Sequence, residues 1–143
     1  KRLAIINSKG EECYSIDPFE TVTLHLELDG SDYENTIFTV SYGIYDDFNT
    51  SVVALKSDVQ QHEVFRMKRN NVIRCKLKNL NIVPGEYGLS VAVTVGGTVK
   101  DYIDNAVMFS IEKKDIYGTG QITRQGGLVL LNSEWEYLVK EEV

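Results

Sequence analysis

The sequence predicts an all-β domain of the immunoglobulin-like antiparallel β-sandwich class. Apolar and polar residues alternate with a period of two throughout the chain, and no segment of a dozen residues holds the 3.6-residue period of a helix. Turn residues such as Lys9-Gly10, Asn70-Asn71 and Gly96-Gly97 interrupt the alternation. Short strands separated by Gly and Asn are typical of two packed sheets.

Nine strands are expected, and most end where turn residues break the pattern. The first three precede turns that contain Gly, Asp or Asn, and the sixth follows Asn70-Asn71. The predicted strands are Leu3–Asn7, Thr21–Asp29, Ile37–Tyr45, Ser51–Lys56, Glu63–Met67, Val72–Leu80, Tyr87–Val95, Ala106–Lys113 and Leu128–Asn132.

A corner precedes the seventh strand. Leu80–Val83 reads as an apolar strand end, Pro84-Gly85 as a turn, and Tyr87 opens a long strict alternation. A tyrosine in this position anchors the corner of many sandwiches through its hydroxyl. We therefore expect a structural role for Tyr87.

The two sheets are expected to present different outer faces. Strands Thr21–Asp29 and Val72–Leu80 turn Leu and Ile inward and charged residues outward, which predicts a solvated face without function. Strands Ile37–Tyr45, Tyr87–Val95 and Ala106–Lys113 instead present small, mostly uncharged, hydroxyl-bearing residues outward. Because solvated strands usually carry charges, we expect this second face to be covered by a glycan, a partner's sheet or the C-terminal tail.

Composition limits the function further. The 143 residues form a single predicted domain, with the sandwich body at 1–114 and a Gly-rich hinge, last strand and tail at 115–143. A net charge of -6 disfavours nucleic acid as a partner. There is no apolar run long enough to span a membrane, and residues 1–7 lack the apolar h-region of a signal peptide. The chain does not begin with Met, so we expect it to be a piece of a longer protein.

Catalytic and metal motifs are missing from the sequence. The acidic pairs Asp46-Asp47, Asp29/Asp32 and Asp101/Asp104 fit turn capping better than a glycosidase pair or a calcium loop. His25 and His62 lack ligand spacing for zinc. Cys13 and Cys75 are expected to be reduced thiols. We expect no enzyme activity, no cofactor and no metal.

A set of motifs occurs in one order along the chain. They are Asp17-Pro18-Phe19-Glu20-Thr21-Val22, Pro84-Gly85-Glu86-Tyr87, Asp101-Tyr102-Ile103-Asp104 with Ala106–Ile111, Asp115-Ile116-Tyr117-Gly118-Thr119-Gly120, Gly126-Gly127-Leu128-Val129 and Trp135. This ordered set resembles the C-terminal domain of Wzt-type proteins, the ATP-binding subunits of ABC transporters that export O-antigen polysaccharide. The first motif lacks a glycine that the family has before its Glu.

The resemblance implies an immunoglobulin-like sandwich that binds carbohydrate without catalysis. In that family the domain recognises the non-reducing terminus of the lipid-linked O-antigen polysaccharide and couples chain completion to export. It implies a homodimer with an exchanged C-terminal strand, transporter ATPase and membrane subunits as partners, and a cytoplasmic location at the inner-membrane face.

The small-residue face supplies the candidate carbohydrate site. Sugar binding needs an aromatic surface for stacking and short polar side chains that read hydroxyls. Tyr45 supplies the aromatic surface. The short polar side chains are Thr39, Ser41, Ser90 and Thr94, and a neighbouring loop adds Asp101, Tyr102 and Asp104. The alternative is a structural or dimerisation module in which the same face is a protein interface.

The polar tail carries aromatic residues that need an explanation. Trp135 and Tyr137 lie among glutamates, so Trp135 is expected to be a dimer anchor or else a stacking platform. The Gly-rich segment before them is a plausible hinge for strand exchange, and Tyr117 is expected to lie beside it.

Overall fold

The computed structural model describes residues 2–60, 65–115, 117–120 and 127–140, and within them it is a two-sheet β-sandwich. One sheet has three strands in the order β1-β3-β7, and the other has six, in the order β2-β9-β8-β4-β5 with β6 paired to β4. The elements are β1 (Arg2–Ile6), β2 (Ser15–Ile16), β3 (Val22–Asp29), β4 (Ile37–Asp46), β5 (Ser51–Lys56), α1 (Ser57–Gln60), β6 (Phe65–Arg66), β7 (Asn70–Leu77), β8 (Gly85–Val95) and β9 (Thr98–Ile111). The predicted sandwich class is confirmed.

The core lies between the sheets and is built by the predicted alternation. The fully buried side chains come from every second residue of the long strands, as expected for a period of two. They include Val22, Leu24 and Leu26 of β3, Phe38, Val40 and Ile44 of β4, and Leu89, Val91 and Val93 of β8. Each of these three strands therefore has one face buried in the core.

The outer face of the three-stranded sheet is charged, as predicted. Strands β3 and β7 pair antiparallel with His25 opposite Arg74, and the Arg74 Nε donates to His25 Nδ1 at 3.1 Å. Arg2 of β1 lies 3.8 Å from the Glu27 carboxylate. Exposed pairs of this kind contribute little to stability, so this face mainly keeps the sheet solvated.

Strands β4, β8 and β9 are neighbours, as the sequence suggested. Strands β8 and β9 form a hairpin whose two turn residues, Gly96 and Gly97, have φ values of +58° and +82°. Two left-handed residues in a two-residue turn match the twist of the flanking strands.

The predicted strand Ala106–Lys113 is wrong at its beginning. It is the second half of the 14-residue strand β9, and residues 98–105, expected to be a loop, are its first half. The hairpin turn delivers these residues to the edge of β8, where ladder hydrogen bonds override their weak local preference. Strand β2 was missed because two residues carry no period, and it pairs parallel to the end of β9.

The predicted last strand, Leu128–Asn132, is also wrong. The segment forms one isolated bridge, Val129 with Ile82, and inserts Leu130 into the core with 4% of its surface exposed. The Leu130 amide donates to the Asn81 carbonyl at 2.5 Å. The segment pairs with the corner residues before Pro84. The pairing does not extend into a strand there, because proline has no amide with which to continue a ladder. Of the predicted strand Glu63–Met67, residues 63–64 lie outside the described residues.

The predicted corner tyrosine is confirmed. Tyr87 is 2% exposed, its hydroxyl donates to the Val83 carbonyl at 2.5 Å, and its ring stacks on Phe109. Burial, with smaller contributions from Asp46 and Asp47, raises the pKa of Tyr87 to about 12. The neutral hydroxyl thus connects the start of β8 to the corner residue Val83 as a hydrogen-bond donor.

Replacing Tyr87 with Phe should lower the free energy of unfolding by about 1 kcal/mol, because it removes one hydrogen bond to a partly buried carbonyl and keeps the ring. Chemical denaturation measures the change. Tyr102→Phe is the matched control, since that side chain is exposed and its hydroxyl has only a 3.4 Å contact with Asp104. Equal effects of the two changes would contradict the anchoring role.

Candidate functional site

The outward residues of β4 and β8 form one continuous surface, which we call the small-residue face. Its four rows are the cross-strand pairs Thr39 with Thr94, Ser41 with Ala92, Gly43 with Ser90, and Tyr45 with Gly88. The predicted residues Tyr45, Thr39, Ser41, Ser90 and Thr94 therefore share one face of one sheet. Tyr102 joins them, because β9 places it beside Ala92.

A groove of about 180 Å³ lies on this face between two tyrosines. The Tyr45 ring lies over Gly43, where an added Cβ would be 2.8 Å from the ring. Glycine at this position therefore lets the aromatic ring lie along the sheet. Tyr102, which is 56% exposed, stands on the β9 side. Ser41, Ser90 and Ala92 are among the groove residues between them.

A bulge in β9 covers one end of the face. Asp104, Asn105 and Ala106 stand opposite the single residue Ser90 of β8, and Asn105 has a φ of +48°. Ser90 Oγ donates to Asp104 Oδ1 at 3.0 Å and accepts the Asn105 amide at 3.0 Å. Ser90 is thereby 2% exposed, so its hydroxyl holds the bulge and positions Asp104.

Gly88 explains how the bulge comes so close to the sheet. A Cβ at Gly88 would lie 2.0 Å from Asn105 Oδ1, so glycine leaves the room that the Asn105 side chain occupies there. At this end the cover is a segment of β9 rather than the glycan, partner sheet or tail that we expected. The Asp-Asn pair at 104–105, tolerant of left-handed φ, was the available signal.

The other predicted residues fall at or beyond the groove margins. Thr39 and Thr94 form the next row of the face and do not line the groove. Asp101 is in register with the inward-facing Val93, on the opposite side of β9 from Tyr102. The structure thus brings together Tyr45, Ser41 and Tyr102, with Ser90 and Asp104 beside them.

Strand β5 supplies groove residues that we did not predict. Lys56 and Ala54 are in register with Ser41 and Gly43, and both line the groove with Ser51. The alternation of β5 would have placed Ala54 and Lys56 on one face, but it could not show that β5 lies beside β4 on the groove side. The two sides therefore differ in charge: Lys56 lines the groove on the β5 side, and Asp104 contacts the groove residues Ser90 and Tyr102 on the β9 side.

A second, larger cavity of about 390 Å³ opens between the sheets, where the edge strands β5 and β7 are not paired to each other. Its lining includes Leu55, Phe65, Ile73, Cys75 and Leu77, and Tyr42 stands at its inner side. The Tyr42 hydroxyl is buried and has no hydrogen-bond partner among the described residues. Burial is the main cause that raises the pKa of Tyr42, and Cys75 adds to it.

The predicted tail residues lie away from both cavities in the described part of the chain. Trp135 is 94% exposed, and its indole nitrogen contacts only the nearby Ser133 hydroxyl at 3.2 Å. Tyr137 is also exposed, and the Tyr117 hydroxyl lies 3.4 Å from the Leu131 carbonyl. The large apolar side chains that the tail leaves in solvent are Leu131, Trp135, Tyr137, Leu138 and Val139.

Two of the three predicted acidic turns contain a cap, whereas the Asp101/Asp104 pair lies within strand β9 and that prediction is wrong. Asp46 Oδ1 accepts the Phe48 and Thr50 amides at 3.0 and 2.8 Å, and Asp29 Oδ1 accepts the Ser31 amide. The Ser31 amide bond lowers the pKa of Asp29. Across the described residues no group of three or more His, Cys, Asp or Glu side chains could hold a metal ion. Both cysteines are free thiols, as expected.

Comparisons with known proteins found a matching family model and similar solved structures. The model of the family described as the Wzt C-terminal domain matches residues 1–128. A crystal structure of the C-terminal domain of Wzt superimposes with a TM-score of 0.71 at 13% identity, covering 95% of this chain and 81% of that one. A Pseudomonas fluorescens alkylpurine DNA glycosylase, AlkC, reaches a TM-score of only 0.40 at 17% identity, covering 76% of this chain and 30% of that one. No curated protein matches the sequence.

Gly88→Ala should destabilise the domain by about 1–3 kcal/mol, because the new methyl group overlaps the Asn105 side chain and displaces it from the sheet. The change is measured by denaturation in wild type and in an Asn105→Gly background. In that background the cost should fall below about 1 kcal/mol, since the overlapping side chain is gone and glycine accepts the positive φ. Equal costs in both backgrounds would show that Asn105 is not the obstacle.

Proposed function

The chain belongs to the Wzt C-terminal domain family, and from this premise we propose that it binds the non-reducing terminus of a lipid-linked O-antigen polysaccharide without catalysing a reaction. The family itself has a carbohydrate-binding role in O-antigen ABC transporters. In our proposal, binding of the finished terminus couples chain completion to export. The groove between Tyr45 and Tyr102 is the observation that carries the assignment to a site.

The groove chemistry supports sugar binding. Two tyrosine rings offer apolar faces against which the C–H groups of a pyranose can stack, and tyrosine orders with little loss of entropy. Ser41 and the Asp104 carboxylate offer short, fixed polar groups for sugar hydroxyls. Thr39 and Thr94 continue the face and would contact a second sugar residue.

The alternative is that the small-residue face is a protein interface. Gly43, Ala92 and Ser41 would allow a partner's sheet to approach closely. The β9 bulge weighs against it, because Asp104 and Asn105 rise over Ser90 and Gly88 and leave no flat surface across all four rows. A groove with a raised end fits a chain terminus better than a second sheet.

We also propose a homodimer in which the tail contributes to the partner subunit. Strand β7 is a free edge of its sheet, and the cavity beside it holds the buried, unpartnered Tyr42 hydroxyl. In an extended tail, Trp135, Tyr137 and Val139 point to one side and Glu134 and Glu136 to the other.

That pattern complements β7. Ile73, Cys75 and Leu77 are half-buried and Arg74, Lys76 and Lys78 are exposed, although all six border the cavity. A tail strand paired to β7 would place apolar residues against apolar residues and Glu against Arg or Lys. The pairing would also satisfy the edge of β7. The same strand returning to its own chain would give a monomer.

The proposed location is the cytoplasmic face of the inner membrane, beside the transporter ATPase and membrane subunits. No helix in the described ranges is long and apolar enough to cross a membrane. In this proposal the transporter partners contact the membrane.

Tyr45→Ala should weaken binding of O-polysaccharide by about tenfold or more, because it removes one stacking wall of the groove. Isothermal titration against purified capped and uncapped O-polysaccharide measures it, and size-exclusion chromatography follows the oligomer. Tyr33→Ala is the matched control, since that exposed tyrosine lies outside the groove. An unchanged isotherm for Tyr45→Ala would reject the site, and loss of the dimer with binding would favour the interface alternative.

Ending the chain after Asp115 should leave monomers or insoluble protein, since it removes the tail and the buried Leu130. A chain that ends after Asn132 separates these effects, because it keeps the Leu130 contact with Asn81 and lacks Trp135 and Tyr137. Analytical ultracentrifugation should find it folded and monomeric. A stable dimer from the Asn132 variant would rule out strand exchange.

A further inference from the structure

The charges around the groove carry information about the sugar terminus. Asp104 does not line the groove itself but contacts two residues that do: Ser90 Oγ and the Tyr102 hydroxyl lie 3.0 and 3.4 Å from its Oδ1. The bonds that the described residues make to this carboxylate thus end on one oxygen and leave Oδ2 available to a ligand.

The position of Asp104 is held from beneath. Ser90 is 2% exposed and bonds both the Asp104 side chain and the Asn105 backbone, so one buried hydroxyl orients the carboxylate and anchors the bulge. A carboxylate oriented in this way repels an incoming anion.

The opposite wall does not form an anion site. Lys56 offers one ammonium group, a point charge without the paired donors of a guanidinium. The floor is made of β4 and β8, whose backbone amides are used in the sheet ladders and therefore form no cluster of donors. Phosphate sites usually need several such donors together.

Lys56 also lies far from Asp104 across the sheet. Its row crosses β5, β4, β8 and β9, and three strand spacings amount to roughly 14 Å. At physiological salt this separation exceeds the screening length, so Lys56 does not cancel the field of Asp104. The carboxylate of Asp104 accepts hydrogen bonds on the β9 side, and the ammonium group of Lys56 donates them on the β5 side.

On the basis of the proposed function, we infer that the groove selects an uncharged sugar terminus, with a hydroxyl donating to Asp104 and another accepting from Lys56, and disfavours a terminus that carries phosphate or carboxylate. The inference adds a substrate class to the proposed site. It assigns Asp104 as the residue that determines specificity.

The test uses the full chain and pairs of oligosaccharides, each a neutral compound and its terminally phosphorylated counterpart, titrated at low and at high salt. Wild type should bind the neutral member at least about tenfold more tightly at low salt, and less selectively at high salt. Asp104→Asn keeps an oxygen for the Ser90 hydroxyl and removes the charge, so the preference should shrink mainly through tighter binding of the phosphorylated member. Asp32→Asn, which removes one charge from a loop outside the groove, should leave the preference unchanged.

The possible outcomes separate the two proposals. Tighter binding of the phosphorylated members by wild type, or an Asp104→Asn variant that binds with the wild-type preference, would overturn the charge selection and leave the sugar site intact. If no pair and no O-polysaccharide binds to wild type, the proposed function fails and the charge selection fails with it. Loss of all binding in Asp104→Asn, with an unchanged circular dichroism spectrum, would show that the Asp104 charge is needed for binding itself and does not discriminate between neutral and charged termini. That result would also overturn the inference.

Discussion

Strand β8 has to bury residues on both of its faces, and it does so by two different means. Inward, Leu89, Val91 and Val93 fill the space between the sheets with apolar volume. Outward, Gly88 and Ser90 are buried under the β9 bulge, where one residue supplies room and the other supplies hydrogen bonds. The small outward residues of this strand thus allow backbone and polar side chains of β9 to approach the sheet.

This arrangement preorganises the groove. Because the bulge is attached to a rigid central strand, Asp104 and Tyr102 stand on a framework that does not have to form when a ligand arrives. Gly43 has the same effect on the other side, since it lets the Tyr45 ring rest along β4. The aromatic walls and the carboxylate are held by residues whose own side chains make little or no contact with solvent.

The opposite part of the sandwich has an open edge and an exposed apolar tail in a single chain. The edge strands β5 and β7 border a cavity with a buried tyrosine hydroxyl, while the tail exposes Trp135, Tyr137 and other large apolar side chains. An open sheet edge and an exposed apolar segment are each unfavourable in free energy, and pairing the segment with the edge would remove both costs. The sugar groove and this cavity meet at β5, where Leu55 and Lys56 line both.

Local patterns determined much of the fold. The alternation of β3, β4 and β8 identified their core residues, Pro84-Gly85 with Tyr87 identified the corner, and Gly96-Gly97 identified a turn, because each depends on a few consecutive residues. The same alternation placed Tyr45, Ser41 and Ser90 on one face. The two-residue strand β2 and the irregular segment around Leu130 exist only through partners distant in sequence, and the first half of β9 exists through its hairpin pairing with β8, so no local period indicated them. Tertiary structure alone decided that Ser90 is buried, that Asp104 stands at the groove while Asp101 lies across the strand, and that Lys56 of β5 forms a wall. Register between strands settles these points, and register is set by the packing of the whole sheet.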